Sequence, residues 1–180
     1  DEIRAALMLT AETAVVDHRQ QPATPLDQGA GRVDVSRAAQ AGLVLGETTA
    51  NYEVANPALD GDPRDLNLPS ITNAACFLTC THSRTLRSTL GQAATWTATI
   101  DTTDAISINV QPSSFTVAAG ATQAVQITAD LTNHNANDGY AFATLRLTSP
   151  GHTPLQLPIV LQKATTYSEA LSKSAPEFVE

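Results

Sequence analysis

From residue 66 onward the chain is punctuated by turn signals at Gly91, Pro112, Gly120, Gly139 and Pro150-Gly151, and the runs between them are too short for anything but strands. Seven such runs, at 81–90, 94–100, 106–110, 114–117, 122–129, 141–148 and 155–161, are rich in Thr, Val, Ile and Leu. Several alternate: Val125, Ile127 and Ala129 point one way, Gln126 and Thr128 the other. With no helix of 10 to 15 residues between them, the pattern predicts an antiparallel β-sandwich and excludes a βαβ fold.

Composition narrows what such a fold can serve. The chain is 42% hydrophobic and 16% charged, which is globular and needs no metal to fold. Ten basic against 18 acidic side chains give a formal charge of -8, without any block of Lys or Arg that could track phosphates. Nucleic acid and anionic membrane surfaces are therefore poor partners, and no nucleic acid is expected. No apolar run approaches the roughly 18 residues of a membrane span. The opening residues are not a signal peptide, so an exported parent would carry its signal upstream.

The first 45 residues follow a different pattern. Residues 2–11 lack Gly and Pro, and Ile3, Ala6, Leu7 and Thr10 recur at helical spacing, predicting a short helix with an apolar face; Met8 and Leu9 on its other side call for burial on more than one side. Pro22 and Pro25 mark a loop, and Gly29 and Gly31 mark backbone that needs unusual dihedrals or close packing. Asp34 or Ser36 is placed to cap a second short helix running through Ala41, ended by Gly42. The apolar run Leu43-Val44-Leu45 follows, then a turn-rich stretch around Asp60-Gly61-Asp62-Pro63 that reads as an ordered linker. The polar tail 163–180 suggests a weak helix at 164–173.

Side chains capable of chemistry are sparse. Cys76 and Cys80 lie in a loop-like stretch and are close enough for a disulfide if the segment turns, but not if it is extended; free thiols and a metal site are the alternatives. His18, His82, His134 and His152 are scattered outside any zinc pattern and read as solvated loop or strand-edge residues. Asp60, Asp62 and Asp65 suit an Asp-Gly turn better than a calcium loop, whose later ligands are missing. The stretch Asp101-Thr102-Thr103-Asp104 reads as a hairpin turn, and Trp96 as an anchor between the sheets.

Ordered motifs resemble one family. Residues 2–11 resemble the helix near the end of the subtilisin-like catalytic domain, and 25–34, with Gly29-Ala30-Gly31, resemble its closing segment. Leu66-Asn67-Leu68-Pro69-Ser70-Ile71 resembles the entry to the fibronectin type III-like domain of larger subtilases, and Arg84-Thr85-Leu86 its Arg-Thr-Val type strand. The similarity runs in unbroken order from residue 2 to about 162. Leu68 stands where the plant-like pattern has Tyr and Ala143 where it has Gly, which points to a bacterial branch.

The resemblance implies four parts: residues 1–45 from the end of a subtilisin-like catalytic domain, a linker at 46–65, a fibronectin type III-like β-sandwich at 66–162, and a polar tail at 163–180. It implies a secreted serine endopeptidase as the parent protein, with protein or peptide substrates. No catalytic, cofactor or metal residue transfers to this chain, since the motif positions of the catalytic Asp, His, Ser and oxyanion Asn do not occur in it; any calcium requirement belongs to the parent. The expected partner is the upstream catalytic domain, against which the 2–11 helix and Leu43-Val44-Leu45 would bury apolar surface, with self-association as another way to cover it. The alternative function is an autonomous sandwich module that binds protein or carbohydrate.

Overall fold

The computed structural model describes residues 1–166. Of the helix expected at 164–173, residues 164–166 are described and are not helical; the rest of it and most of the polar tail lie outside the described residues.

Two sheets face each other. One has the order β1-β3-β7-β5, formed by Leu43–Val44 (β1), Thr79–Ser88 (β3), Thr122–Asp130 (β7) and Ser107–Gln111 (β5). The other has the order β2-β9-β8-β4-β6, formed by Ile71–Cys76 (β2), Leu155–Lys163 (β9), Tyr140–Thr148 (β8), Ala94–Asp101 (β4) and Ser114–Val117 (β6). The seven expected strands are present with ends shifted by at most two residues, and β1 and β2 are additional. The sandwich is not wholly antiparallel, because β2 runs parallel to β9 with Ile71 opposite Ile159.

Alternation explains the core. Leu86, Val125, Ile127, Leu145, Leu147, Leu157 and Ile159 are each about 1% exposed and point between the sheets, while their sequence neighbours on β3, β7 and β8 face solvent. Trp96 is fully buried among them, with its indole within 6.0 Å of the stacked His152 ring. Strand β9 breaks the alternation: Gln156 and Val160 on its outer face are buried as well, because the N-terminal lobe covers it.

That lobe holds three short helices, Glu2–Leu9 (α1), Pro25–Gln28 (α2) and Val35–Ala38 (α3). Asp34 caps α3 by accepting from the Arg37 amide, and the helix ends at Ala38 rather than Ala41. The helix buries Ala5 and Leu9, and Thr10 just beyond it is buried as well, but Ile3 of the expected face is 80% exposed. The helix chooses the Ala5–Leu9 stripe because that side meets β1 and β9. Leu43, Val44 and Leu45, expected to lie bare against a missing domain, are instead 0 to 3% exposed within the same core as the sandwich.

Three sequence readings change for local reasons. The stretch 101–104 is not a hairpin turn, since β4 and β5 belong to different sheets; Asp104 Oδ2 accepts from the Phe142 amide at 2.6 Å and Thr102 Oγ1 donates to the Phe142 carbonyl at 2.7 Å. The linker contains a helix, Thr49–Val54 (α4), capped by Thr48, and two 3₁₀ turns at Pro57–Leu59 and Pro63–Asp65. The two cysteines lie in strands, Cys76 ending β2 and Cys80 within β3, and are joined by a disulfide across a Cα separation of 5.5 Å. The chain reverses between them at Leu78, whose φ is 59°, so the bond fastens the crossover from one sheet to the other.

Gly42 fits because it has no side chain: a Cβ there would lie 2.8 Å from Trp96 Cζ2. Gly42→Ala is expected to destabilise the fold by about 1–3 kcal/mol through overpacking, read as a lower urea midpoint at unchanged slope. Replacing Cys76 and Cys80 together by Ser should cost about 2 kcal/mol on the loop-entropy estimate, measured the same way.

Candidate functional site

The polar residues that the fold brings together lie where the segment 46–70 crosses β3. Asn67 is the central contact. Its side chain accepts from the Thr85 amide at 2.8 Å and donates to the Thr85 carbonyl at 2.9 Å, pairing with both backbone groups as a neighbouring strand would. The same carboxamide donates to the Gly46 carbonyl at 3.1 Å, and the Asn67 amide donates to Glu47 Oε2 at 2.6 Å. Glu47 Oε1 accepts from the Thr48 amide and the Asn51 side chain. Burial works against the Glu47 charge, but these donors outweigh it and hold the carboxyl below its ordinary value.

Arg84 is the second contact. Only 4% exposed, it donates to the carbonyls of Leu68 at 2.9 Å, Ser70 at 2.8 Å and Ser83 at 2.7 Å. Burial lowers its pKa to about 10, opposed by the charges of Asp65 and Glu47, so the guanidinium stays protonated at neutral pH. Next to it, Arg64 grips Asp62 with two nitrogens, at 2.8 and 2.6 Å. A cleft of about 490 Å³ opens over this ground, lined by Glu47, Asn51, Val54, Asp60, Asp62 and Asp65.

The sequence-derived candidates separate in space. Asp62 is held by Arg64, and among the described residues no three His, Cys, Asp or Glu side chains are grouped to ligate a metal. His82 and His134 are not solvated but 7% and 6% exposed, because both side chains fold inward. His134 Nε2 meets the Gly139 carbonyl at 3.2 Å, His152 stacks on Trp96, and His18 accepts from Arg19; none of these contacts is to a serine. Gly29 and Gly31 have φ of 60° and 114°. A side chain at Gly31 would collide with the Glu12 carbonyl, which pairs with the Arg32 amide.

The other notable surface belongs to the N-terminal lobe, which is buried on its sandwich side only. There Gln156 on β9 donates to the Ala11 carbonyl, and Glu2 forms a two-pronged pair with Arg87 on β3 at 2.5 and 2.7 Å. Elsewhere on the lobe Ile3, Val16, Leu26, Val33 and Val35 are 50 to 80% exposed. One cleft of about 360 Å³ opens where the lobe meets the sandwich, lined by Ile3, Ala6, Ala38, Val44, Thr89 and Leu90, and another of about 450 Å³ opens on the lobe itself, lined by Val15, Val16, Gln28 and Arg32. The exposed aromatic rings Tyr52 and Tyr140 lie apart, on α4 and β8. Sequence reasoning missed Glu47, Asn67 and Gln156; Arg84 carried a signal, a charged residue in register with inward-facing Leu86.

Arg84→Met is expected to lower stability by about 2–4 kcal/mol, because it leaves the Leu68 and Ser70 carbonyls short of donors. Thermal or urea unfolding measures it. A loss below about 0.5 kcal/mol, the range of ordinary surface substitutions, would show that water replaces the guanidinium without penalty.

Comparison with known proteins fits this arrangement. Residues 65–161 match the family described as fibronectin type-III domain. The subtilisin-like protease SBT2.6 of Arabidopsis thaliana is 27% identical over 193 residues, covering 88% of this chain and 23% of that protein. SBT2.2 of the same plant is 28% identical over 142 residues, covering 68% of this chain and 16% of its own length. The chain thus spans less than a quarter of the curated relatives it matches. Since these relatives are plant proteins, the bacterial branch read from Leu68 and Ala143 is not supported. Among solved structures, a Pseudomonas aeruginosa CupB2 chaperone overlays with a TM-score of 0.41 at 16% identity, covering 56% of this chain and 55% of that one.

Proposed function

This chain belongs to the fibronectin type-III domain family, and from that premise we propose that it is the non-catalytic C-terminal region of a secreted subtilisin-like serine endopeptidase, which stabilises the catalytic domain while that domain hydrolyses protein or peptide substrates. In this reading residues 1–45 complete the catalytic domain, 46–65 connect, and 66–162 form the supporting sandwich.

The observation that carries the proposal is the one-sided burial of the N-terminal lobe. One side is built into the sandwich core through Leu9, Leu43 and Leu45, while Ile3, Val33 and Val35 on the same lobe stand in solvent. Leaving such side chains bare costs about 25 cal/mol per Å² relative to covering them. The similarity to subtilisin-like proteases across 88% of the chain supports the upstream catalytic domain as the cover. A lobe fused to the sandwich on one side and seated against the catalytic domain on the other transmits the stability of one to the other.

Mixing the chain with the separately produced upstream part of the parent protease tests this. Association is expected, with a longer thermal half-life of peptide cleavage. The pair Val33→Asp and Val35→Asp, at exposed positions, should weaken association by at least about tenfold while leaving the chain's own melting unchanged. No association, or parent cleavage and half-life unaltered by deleting 66–162, would overturn the assignment. The chain alone should cleave no peptide.

A further inference from the structure

We propose that the segment 46–70 is an acid-released strap, held on β3 while His82 is neutral and freed when His82 takes up a proton. This inference is independent of the protease reading.

His82 is 7% exposed, and its Nε2 has no hydrogen-bond partner. It lies on β3, against which the 3₁₀ turn Pro63–Asp65 packs. The charged groups that face it are Arg84 from its own strand and Arg64, Asp62 and Asp65 from that turn and its cap. The two guanidinium groups are fixed, Arg64 by Asp62 and Arg84 by the carbonyls of Leu68 and Ser70. Asp62 is therefore already committed to a cation. A neutral imidazole fits this enclosure; an imidazolium would be a third cation there, without an acceptor at Nε2.

Burial foremost, then Arg84, then Arg64, lower the His82 pKa from 6.5 to about 4. The released state, in which the ring is hydrated, binds the proton at the ordinary value, so the closed state is fully favoured above pH 6.5 and loses ground as pH falls from 6.5 toward 4. Lifting the 3₁₀ turn hydrates the ring at little apolar cost, because none of its three residues is buried. On either side of it the strap is held by the buried Ala55, Leu66 and Pro69 and by Asn67 on Thr85, Glu47 on Asn67, and Arg84 on Leu68 and Ser70. Glu47 and Asp62 both have lowered pKa values, so their protonation adds only at pH below the upper part of this window.

Hydrogen exchange by NMR on the full chain between pH 7.5 and 5.0 tests the strap, with each rate divided by its intrinsic rate at that pH. The amides of Asn67 and Thr85 should open about 30-fold more often at pH 5.0, as one-proton linkage requires, while amides between β8 and β9 keep their protection. His82→Gln should abolish the dependence. Should that variant not fold, Arg64→Gln, which removes one facing cation, should make the dependence shallower. A flat profile for Asn67 and Thr85, an equal rise at β8 and β9, a variant as steep as the native chain, or a His82 ring titrating near 6.5 in the folded protein would each overturn the proposal.

Discussion

Everything N-terminal to the strap depends on a two-residue strand. Leu43 and Val44 pair with Ser88 and Arg87 on β3, and this small ladder aims Leu43 and Leu45 into the space between the sheets. Gly42, just before it, lets the backbone lie against the Trp96 ring. With the chain pinned there, Leu9 of α1 closes the end of the same core, and the lobe reaches the outer face of β9, where Gln156 donates to Ala11. The fold is thus one hydrophobic unit in which a helical lobe and a sandwich share residues, unlike beads joined by a linker.

The strap is held differently. Where the lobe relies on leucines, segment 46–70 adds to the buried Leu66 and Pro69 a carboxamide, a carboxylate and a buried guanidinium. Apolar contact tolerates small displacements, whereas a network of this kind is either fully formed or leaves polar groups bare. The segment's exposed flank, with Val54 and Leu59 more than 70% exposed beside acidic Asp60 and Asp65, has little apolar burial of its own to hold it down.

Much of this was legible in the sequence where alternation was clean. In 122–130 and 140–148, inward aliphatics and outward polar residues left one choice of face, and the structure uses it. Ile71–Cys76 was not legible, because Asn73 and two alanines blur the period and its partner lies nearly ninety residues away. For α1 the apolar residues cover more than one stripe, so the sequence could not tell Ile3 from Leu9; tertiary packing decides. The strap network was hidden because Asn67 and Glu47 resemble ordinary loop residues until Thr85 is brought alongside. His82 and Arg84 share a face with Leu86, and that inward charge was the available clue.

The parallel pairing of β2 with β9 also bears on how the molecule is assembled. Strand β9 sits between β2 and β8, so the five-stranded sheet has no continuous middle until residues near Lys163 are in place. During synthesis the disulfide-linked crossover from β2 to β3, β4 and most of the four-stranded sheet emerge well before it. Until then β2, the edge strand whose partner in the sheet is β9, has no strand to pair with, and the N-terminal lobe lacks the surface its helices cover. Completion therefore waits for contacts of high sequence separation, the kind that make folding slow and leave nascent chains dependent on protection from aggregation.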